Sequence, residues 1–278
     1  MTRLDLTRRR LGIAGPQAST MTGNKVERHQ AVRVRHETRR RTLTVASIVR
    51  LSPKMLRFSF TCPEFGDFVS ASCDDHIKLF FPAGAAPVEG GRPCMRDFTP
   101  RRFDTALGTI DIDFAIHDAG PAMAWATSAK VGDTLEIGGP RGSMVVPDDF
   151  DWYLLIGDET ALPAIGRRLE ELRPGVSVTS FVLVEGPEDA QQISTQAAWT
   201  PHWIERRSGE SDASIVVAAL ESFVLPQGEG FIWIGAESSV ARTARTYLTE
   251  TRGHPKQWTK AAGYWKRGEA DAHERIDD

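Results

Sequence analysis

The hydrophobic rhythm of this chain changes once, near residue 147, and that change limits the possible folds more than any other feature. Before it, short runs alternate apolar and polar residues: 42–50 (TLTVASIVR), 56–61 (LRFSFT), 76–81 (HIKLFF), 109–117 (TIDIDFAIH) and 134–137. Turn residues separate them, as in Cys62-Pro63-Glu64-Phe65-Gly66-Asp67. Alternation with period two buries one face of each strand, and many short strands of this kind predict a small antiparallel barrel or sandwich. One short helix is expected between His117 and Asp133. Beyond residue 147, an apolar run at 152–157 (WYLLIG) leads through the loop Gly157-Asp158-Glu159-Thr160 into a helical stretch at 161–172. Pro174-Gly175 ends that stretch, and a strand is expected at 176–185. After a segment at 214–221, the same order returns with 230–235 (GFIWIG) and a helical stretch at 238–252. Strand, glycine loop, helix, strand is the pattern of a parallel α/β sheet. The predicted fold is therefore an antiparallel β-barrel followed by a parallel-sheet α/β domain, with the boundary at 147–151.

Composition excludes several classes. A length of 278 residues suits two domains, and 41% hydrophobic with 26% charged residues suits a folded chain. No run approaches the ~18 consecutive apolar residues of a membrane helix, and the Arg-rich start lacks the apolar core of a signal peptide. Cys62, Cys73 and Cys94 form no C-x-x-C pair, so neither a disulfide framework nor a zinc or iron–sulfur site is expected. The chain reads as cytoplasmic, and any redox chemistry must come from an organic cofactor. Charge is uneven: residues 1–50 hold 12 Lys and Arg against 3 Asp and Glu, leaving 22 against 34 for the rest. Residues 1–25 show no periodicity, so residues 1–30 read as a disordered basic leader. Nothing else in the chain resembles a nucleic-acid reader.

Four segments carry possible chemistry. In Arg96-Asp97-Phe98-Thr99-Pro100-Arg101, an arginine can fork onto a pyrophosphate, an aromatic ring can lie on a flavin, and a hydroxyl can reach its edge. Alone, the segment also reads as a polar hairpin loop. In the segment from His117 to Ala126, Gly120-Pro121 leads into a helix, whose exposed N–H groups could hold a phosphate. His117 alone would read as a strand-end histidine, and Trp125 and Ala126 as core. The loop Gly157–Thr160 follows an apolar strand and fits a nucleotide edge, although it lacks G-x-G-x-x-G. Its Asp158 and Glu159 read as helix caps. Gly235-Ala236-Glu237-Ser238 repeats this arrangement at a second strand end.

Five segments in this order, RDFTPRRF, HDAGPAMAWATSAKVGDTLEIGGPRGS, WYLLIGDETALPAI, FIWIGAESSVARTARTYL and AAGYWKRG, resemble the siderophore-interacting protein family over about residues 40–268. Members of that family are flavoprotein ferric-siderophore reductases of the ferredoxin–NADP reductase superfamily. The resemblance implies an FAD-binding β-barrel over residues 31–148 and an NAD(P)H-binding α/β domain over 149–278 that carries the GYWKRG segment. It places FAD on Arg96, Phe98 and Thr99, where the family pattern R-x-Y-T has Tyr in place of Phe98. It also places FAD on His117, Gly120, Ala122 and Met123, where Met123 replaces the usual Ser. Gly157, Asp158, Glu159 and Thr160 would serve the cofactor side of the second domain. Lys78, Arg141 and Lys260 would hold the substrate, since a basic pocket attracts an anionic ferric siderophore.

The resemblance thus implies an FAD-dependent NAD(P)H:ferric-siderophore oxidoreductase that releases Fe(II). No side chain acts as catalyst and no protein metal site is needed. The expected partners are the chelate and NAD(P)H, with no nucleic acid and no membrane insertion, and the chain is expected to be a monomer. Two alternatives stay open: a general flavin or quinone reductase, and a non-catalytic siderophore-binding protein. If Lys78, Arg141 and Lys260 act together, the C-terminal segment must fold back, with Tyr264 and Trp265 packed and Lys266 and Arg267 facing solvent.

Overall fold

The computed structural model describes residues 28–82, 94–117, 120–269 and 274–276. Alternation in the first half produces the expected strands: β2 (Arg40–Ser52), β3 (Met55–Thr61), β4 (Ile77–Phe81), β5 (Cys94–Phe98), β6 (Arg102–Asp104), β7 (Thr109–Ala115) and β8 (Thr134–Gly138). Among the described residues they form one seven-stranded antiparallel sheet in the order β5-β4-β8-β2-β3-β7-β6. Its two edge strands are neighbours in sequence, joined only by Thr99-Pro100-Arg101. Seven strands laid flat would hold those edges about 29 Å apart, whereas four residue steps reach at most about 14 Å. The sheet must therefore curl on itself, as the barrel expectation requires.

Phe58, Phe60, Phe81 and Phe114 point inward and are almost fully buried. Trp125 of helix α1 (Pro121–Ser128) closes one end, with its ring 5.2 Å from Phe58 and 5.8 Å from Phe114. Strand β1 (Val32–Arg35) pairs separately with β9 (Gly142–Val145).

The second half builds a parallel sheet from β10 (Trp152–Gly157), β11 (Ser177–Val184), β12 (Ala198–Glu205), β13 (Gly230–Glu237) and β14 (Thr259–Trp265), with β15 (Glu274–Arg275) antiparallel at one edge. The order is β12-β11-β10-β13-β14-β15. Alternate residues of β10 face opposite layers. Leu154 and Ile156 pack with α3 (Asp212–Glu221) and α4 (Ser238–Thr246), while Tyr153 and Leu155 pack with α2 (Leu162–Glu171). Burial on both faces explains why this strand reads as an unbroken apolar run. The chain lays down β10, β11 and β12 in one direction and then crosses to β13 and β14, so the strand order reverses between β10 and β13. Ligand crevices open at the carboxyl ends of such strands, here Gly157 and Glu237.

The structure completes the sequence reading at several elements and adds one. Residues 214–221 lie in α3, and the helix expected at 238–252 is α4 continued by a π-helical turn at Tyr247–Thr251. Strand β12 was not expected, because it is the exposed edge of the sheet and contains Pro201, so it shows no apolar run. Residues 1–27 of the expected leader lie outside the described residues. Arg28 and His29, also assigned to the leader, dock on the second half. The His29 ring stacks on Phe150 at 3.9 Å and hydrogen-bonds Asp149 and Glu229 at 2.7 and 2.9 Å.

Candidate active site: a cleft between barrel and sheet

The carboxyl end of the parallel sheet faces the edge of the barrel across a cleft of about 440 Å3, within the ordinary range for small-molecule sites. Several pieces of chain meet there, among them Asp74 and His76 before β4 and the end of β7. Strand β5 and the residue after it bring Arg96, Asp97, Phe98 and Thr99; the start of α1 brings Gly120, Pro121, Ala122 and Met123. The loop after β10 brings Glu159 and Thr160, and the end of β14 brings Tyr264, Trp265 and then Lys266.

On the barrel side, Phe98 spans core and cleft, because its ring lies 4.4 Å from the Phe114 ring while it also lines the opening. Arg96 lines the cleft and donates through Nη1 to its neighbour's carbonyl, Met95 O, at 2.8 Å. Buried Thr99 hydrogen-bonds Tyr264, so the two halves of the chain touch at the cleft floor. Burial, reinforced by the nearby charge of Asp74, pushes the Tyr264 phenol well above its ordinary value. Burial likewise raises the Cys73 thiol to about 12, which removes it as a nucleophile at neutral pH.

Helix α1 begins at Gly120, whose φ of 122° is strained for any residue with a side chain. No side chain caps this end, and Pro121 has no N–H to offer. The N–H groups of Ala122 and Met123 therefore have no partner within the helix, and they lie at the cleft. The Met123 sulfur, at the position where the family pattern has Ser, turns back to accept from His117 N at 3.5 Å. His117 itself lines the cleft.

The donor set suits FAD. An uncapped helix start and an arginine fit a pyrophosphate, and an aromatic ring with a buried hydroxyl fits a flat heterocycle. Asp97 Oδ1, buried without a hydrogen-bond partner among the described residues, is a further acceptor in the same wall.

On the sheet side, Gly157 sits behind the cleft. A Cβ there would fall 2.6 Å from Ala161 Cβ and 2.8 Å from Gly235 O, so glycine lets the ends of β10 and β13 close on α2. Asp158 also sits behind the cleft, and its expected capping role is corrected. The cap position of α2 is Ala161, with no side-chain cap bond. Buried Asp158 instead accepts from Thr160 N and Oγ1 at 2.9 and 2.5 Å, and from Glu237 N and Trp265 Nε1 at 2.9 Å each. It fastens together the ends of β10, β13 and β14. Glu159 does not cap either: it accepts from Arg206 at 2.8 Å. Burial raises its carboxyl, and the charge of Asp158 adds to this, while Arg206 opposes both.

None of the three basic positions lines the cleft itself, although the partners of two of them do, and the three are unequal. Lys78 on β4 bonds Asp97 across the strands at 2.8 Å. Lys260 on β14 bonds Asp74 at 2.6 Å, and Asp74 also accepts from Trp233 Nε1 at 3.0 Å and Ser72 Oγ at 2.7 Å. Burial would raise the Asp74 carboxyl, but the Lys260 charge and these donors outweigh it and hold it below the ordinary range. Arg141 is exposed, just beyond the Gly138 that pairs with Lys78. The C-terminal segment does fold back: Trp265 is anchored on Asp158, and Tyr264 packs edge-on to Trp233. Arg267 is 77% exposed and Lys266 is exposed too, both as expected, and Lys266 also lines the cleft and pairs with Glu269.

His76, Asp74, Asp97 and Tyr264 were not singled out as ligand-facing by sequence. The signal for the acids was their position beside basic residues already noted, in DDHIK and RDFT.

Comparison with known proteins gives the same picture. Residues 150–268 match the family model described as "Siderophore-interacting protein", and residues 44–89 and 84–144 match "Siderophore-interacting FAD-binding domain". An NADPH-dependent ferric-chelate reductase of Escherichia coli is 35% identical over 253 residues, covering 84% of this chain and 95% of the relative. The crystal structure of a siderophore utilization protein from T. fusca superposes with a TM-score of 0.79 at 32% identity, covering 87% of this chain and 98% of that one. A ferredoxin reductase of carbazole 1,9a-dioxygenase, at 19% identity and a TM-score of 0.59 over 81% of this chain and 69% of that one, shares the fold.

Proposed function

We propose that this chain, which belongs to the siderophore-interacting protein family, is an FAD-dependent NAD(P)H:ferric-siderophore oxidoreductase of the cytoplasm that releases Fe(II). The observation that carries this reading is the cleft in which the uncapped start of α1 and the end of β5 face the carboxyl end of the parallel sheet. When bound, FAD supplies hydride acceptance from a nicotinamide and release of single electrons.

In this reading, Arg96 and the N–H groups of Ala122 and Met123 hold the pyrophosphate, and Phe98 and Thr99 orient the ring system. Glu159 and Thr160 line the approach of the nicotinamide, with Arg206 fixing the Glu159 carboxylate. Tyr264 and Trp265 close the floor and keep water from it. Lys78, Arg141 and Lys260 surround the acceptor side, and the iron arrives already chelated, so the chain needs no ligand set of its own.

Flavin binding tests the assignment directly. Removing the Arg96 side chain deletes a charge-assisted contact of roughly 1.5–3 kcal/mol, so Arg96→Ala should weaken FAD binding by about one to two decades in a flavin fluorescence titration. Wild-type affinity in that variant would place the pyrophosphate elsewhere.

A further inference from the structure

The residues that would receive a ferric chelate do not present three free positive charges. The Lys78 ammonium is matched by Asp97 at 2.8 Å and that of Lys260 by Asp74 at 2.6 Å. Both carboxylates line the cleft. An ion approaching from several ångströms away meets each of these pairs as a dipole, and the net charge of the group falls from three to the one carried by Arg141. Asp97 Oδ1, with no hydrogen-bond partner among the described residues, leaves part of its negative charge unquenched on the same wall. Lys266, which also reaches the cleft, is matched by Glu269. Such a surface gives a polyanion little attraction, whereas a neutral complex loses nothing by it.

We infer that the acceptor pocket, on the reading of the cleft proposed above, selects ferric chelates of low net charge over polyanionic ones, with Asp97 and Asp74 as the residues that set this preference. A tris-hydroxamate complex fits, because its three singly charged groups cancel the ferric ion. A tris-catecholate complex keeps three negative charges and does not fit.

The test uses Ga(III), which has the charge of Fe(III) but accepts no electron, so binding is read apart from reduction. A neutral Ga(III) tris-hydroxamate and a trianionic Ga(III) tris-catecholate are titrated into the FAD-loaded protein, at low and physiological salt, by tryptophan fluorescence. Wild type should bind the neutral complex at least about tenfold more tightly, with little salt dependence. Asp97→Asn frees the Lys78 charge. It should raise the affinity for the trianion by about tenfold relative to the neutral complex, with a steeper salt dependence. Lys78→Met should shift the same ratio the other way, which keeps the test decisive if Asp97→Asn folds poorly. Tighter binding of the trianion by wild type, a ratio unmoved by both substitutions, or no binding of either complex would each overturn the inference. Parallel assays with the Fe(III) complexes separate the two levels. Reduction without charge preference defeats only this inference, whereas nicotinamide oxidation with no ferric complex reduced defeats the proposed function.

Discussion

Asp158 has the position and chemistry of a ligand contact, at the carboxyl end of the central strand, yet every bond its carboxylate makes is to the protein. Its Oδ2 takes the Glu237 amide and the Trp265 indole, and its Oδ1 takes the Thr160 amide and hydroxyl. Asn at this position would turn an N–H toward one of these donor pairs, leaving buried groups unmatched. Asp158→Asn should therefore lower stability by about 1.5–3 kcal/mol in chemical denaturation. An unchanged midpoint would mean the loop is held by other contacts. The residue scale also shows where sequence reading stops. Arg96, Phe98 and Thr99 were legible because their chemistry lies within a single short segment. The partner that qualifies Lys260 was not, because Asp74 and Lys260 lie 186 residues apart in the sequence and meet only when the two halves fold together.

Elements buried on both sides were the easiest to read, and edges the hardest. Strands β10 and β13 announce themselves as apolar runs because helices cover both faces of the sheet. Strand β12 is invisible to the same logic, since most of its side chains face water. The turn after α4 carries a buried titratable group outside the cleft. His254 is 7% exposed and tilted 5.5 Å from Trp152, and its Nε2 has no hydrogen-bond partner among the described residues. Burial lowers its value below the ordinary 6.5, only partly offset by the backbone at Trp258 and Gly230. The folded chain therefore favours the neutral ring. That contribution to stability is complete above the unfolded-state value and is lost as pH falls toward the folded one. Thermal melting of wild type should drop as pH falls below about 6.5, and His254→Phe should flatten that part of the profile. Parallel profiles would show that His254 does not titrate there.

At the scale of the whole molecule, polar contacts join the two halves. Arg101, at the end of the short link between the barrel edges, forks onto Glu170 of α2 at 2.8 and 2.7 Å. Its guanidinium lies so close over Gly166 that a Cβ there would fall 2.9 Å from Nη2. Arg167, one residue on, reaches back to Ser70 Oγ at 2.7 Å, Ser70 O at 2.8 Å and Pro100 O at 3.3 Å. These contacts fix the width of the cleft, because each ties α2 directly to the barrel. Arg101→Met leaves the Glu170 carboxylate partly buried with Arg102 as its remaining salt-bridge partner among the described residues. It should cost about 3 kcal/mol, toward the low end for a broken buried pair. Calorimetry should then resolve separate unfolding of barrel and sheet where wild type shows one transition. A single transition with an unchanged midpoint would move the junction to other contacts.

The central claim is that one cleft receives electrons from a nicotinamide on its sheet side and delivers them to chelated iron beside the barrel edge. Its most direct test is an anaerobic sequential titration of the FAD-loaded protein. NADH or NADPH is added first, followed by a ferric siderophore together with a ferrous trap. The expected result is bleaching of the flavin absorbance by the nicotinamide, its return on addition of the ferric complex, and two trapped Fe(II) for each nicotinamide oxidised. Bleaching that persists after the ferric complex is added, with no Fe(II) trapped, would contradict the claim.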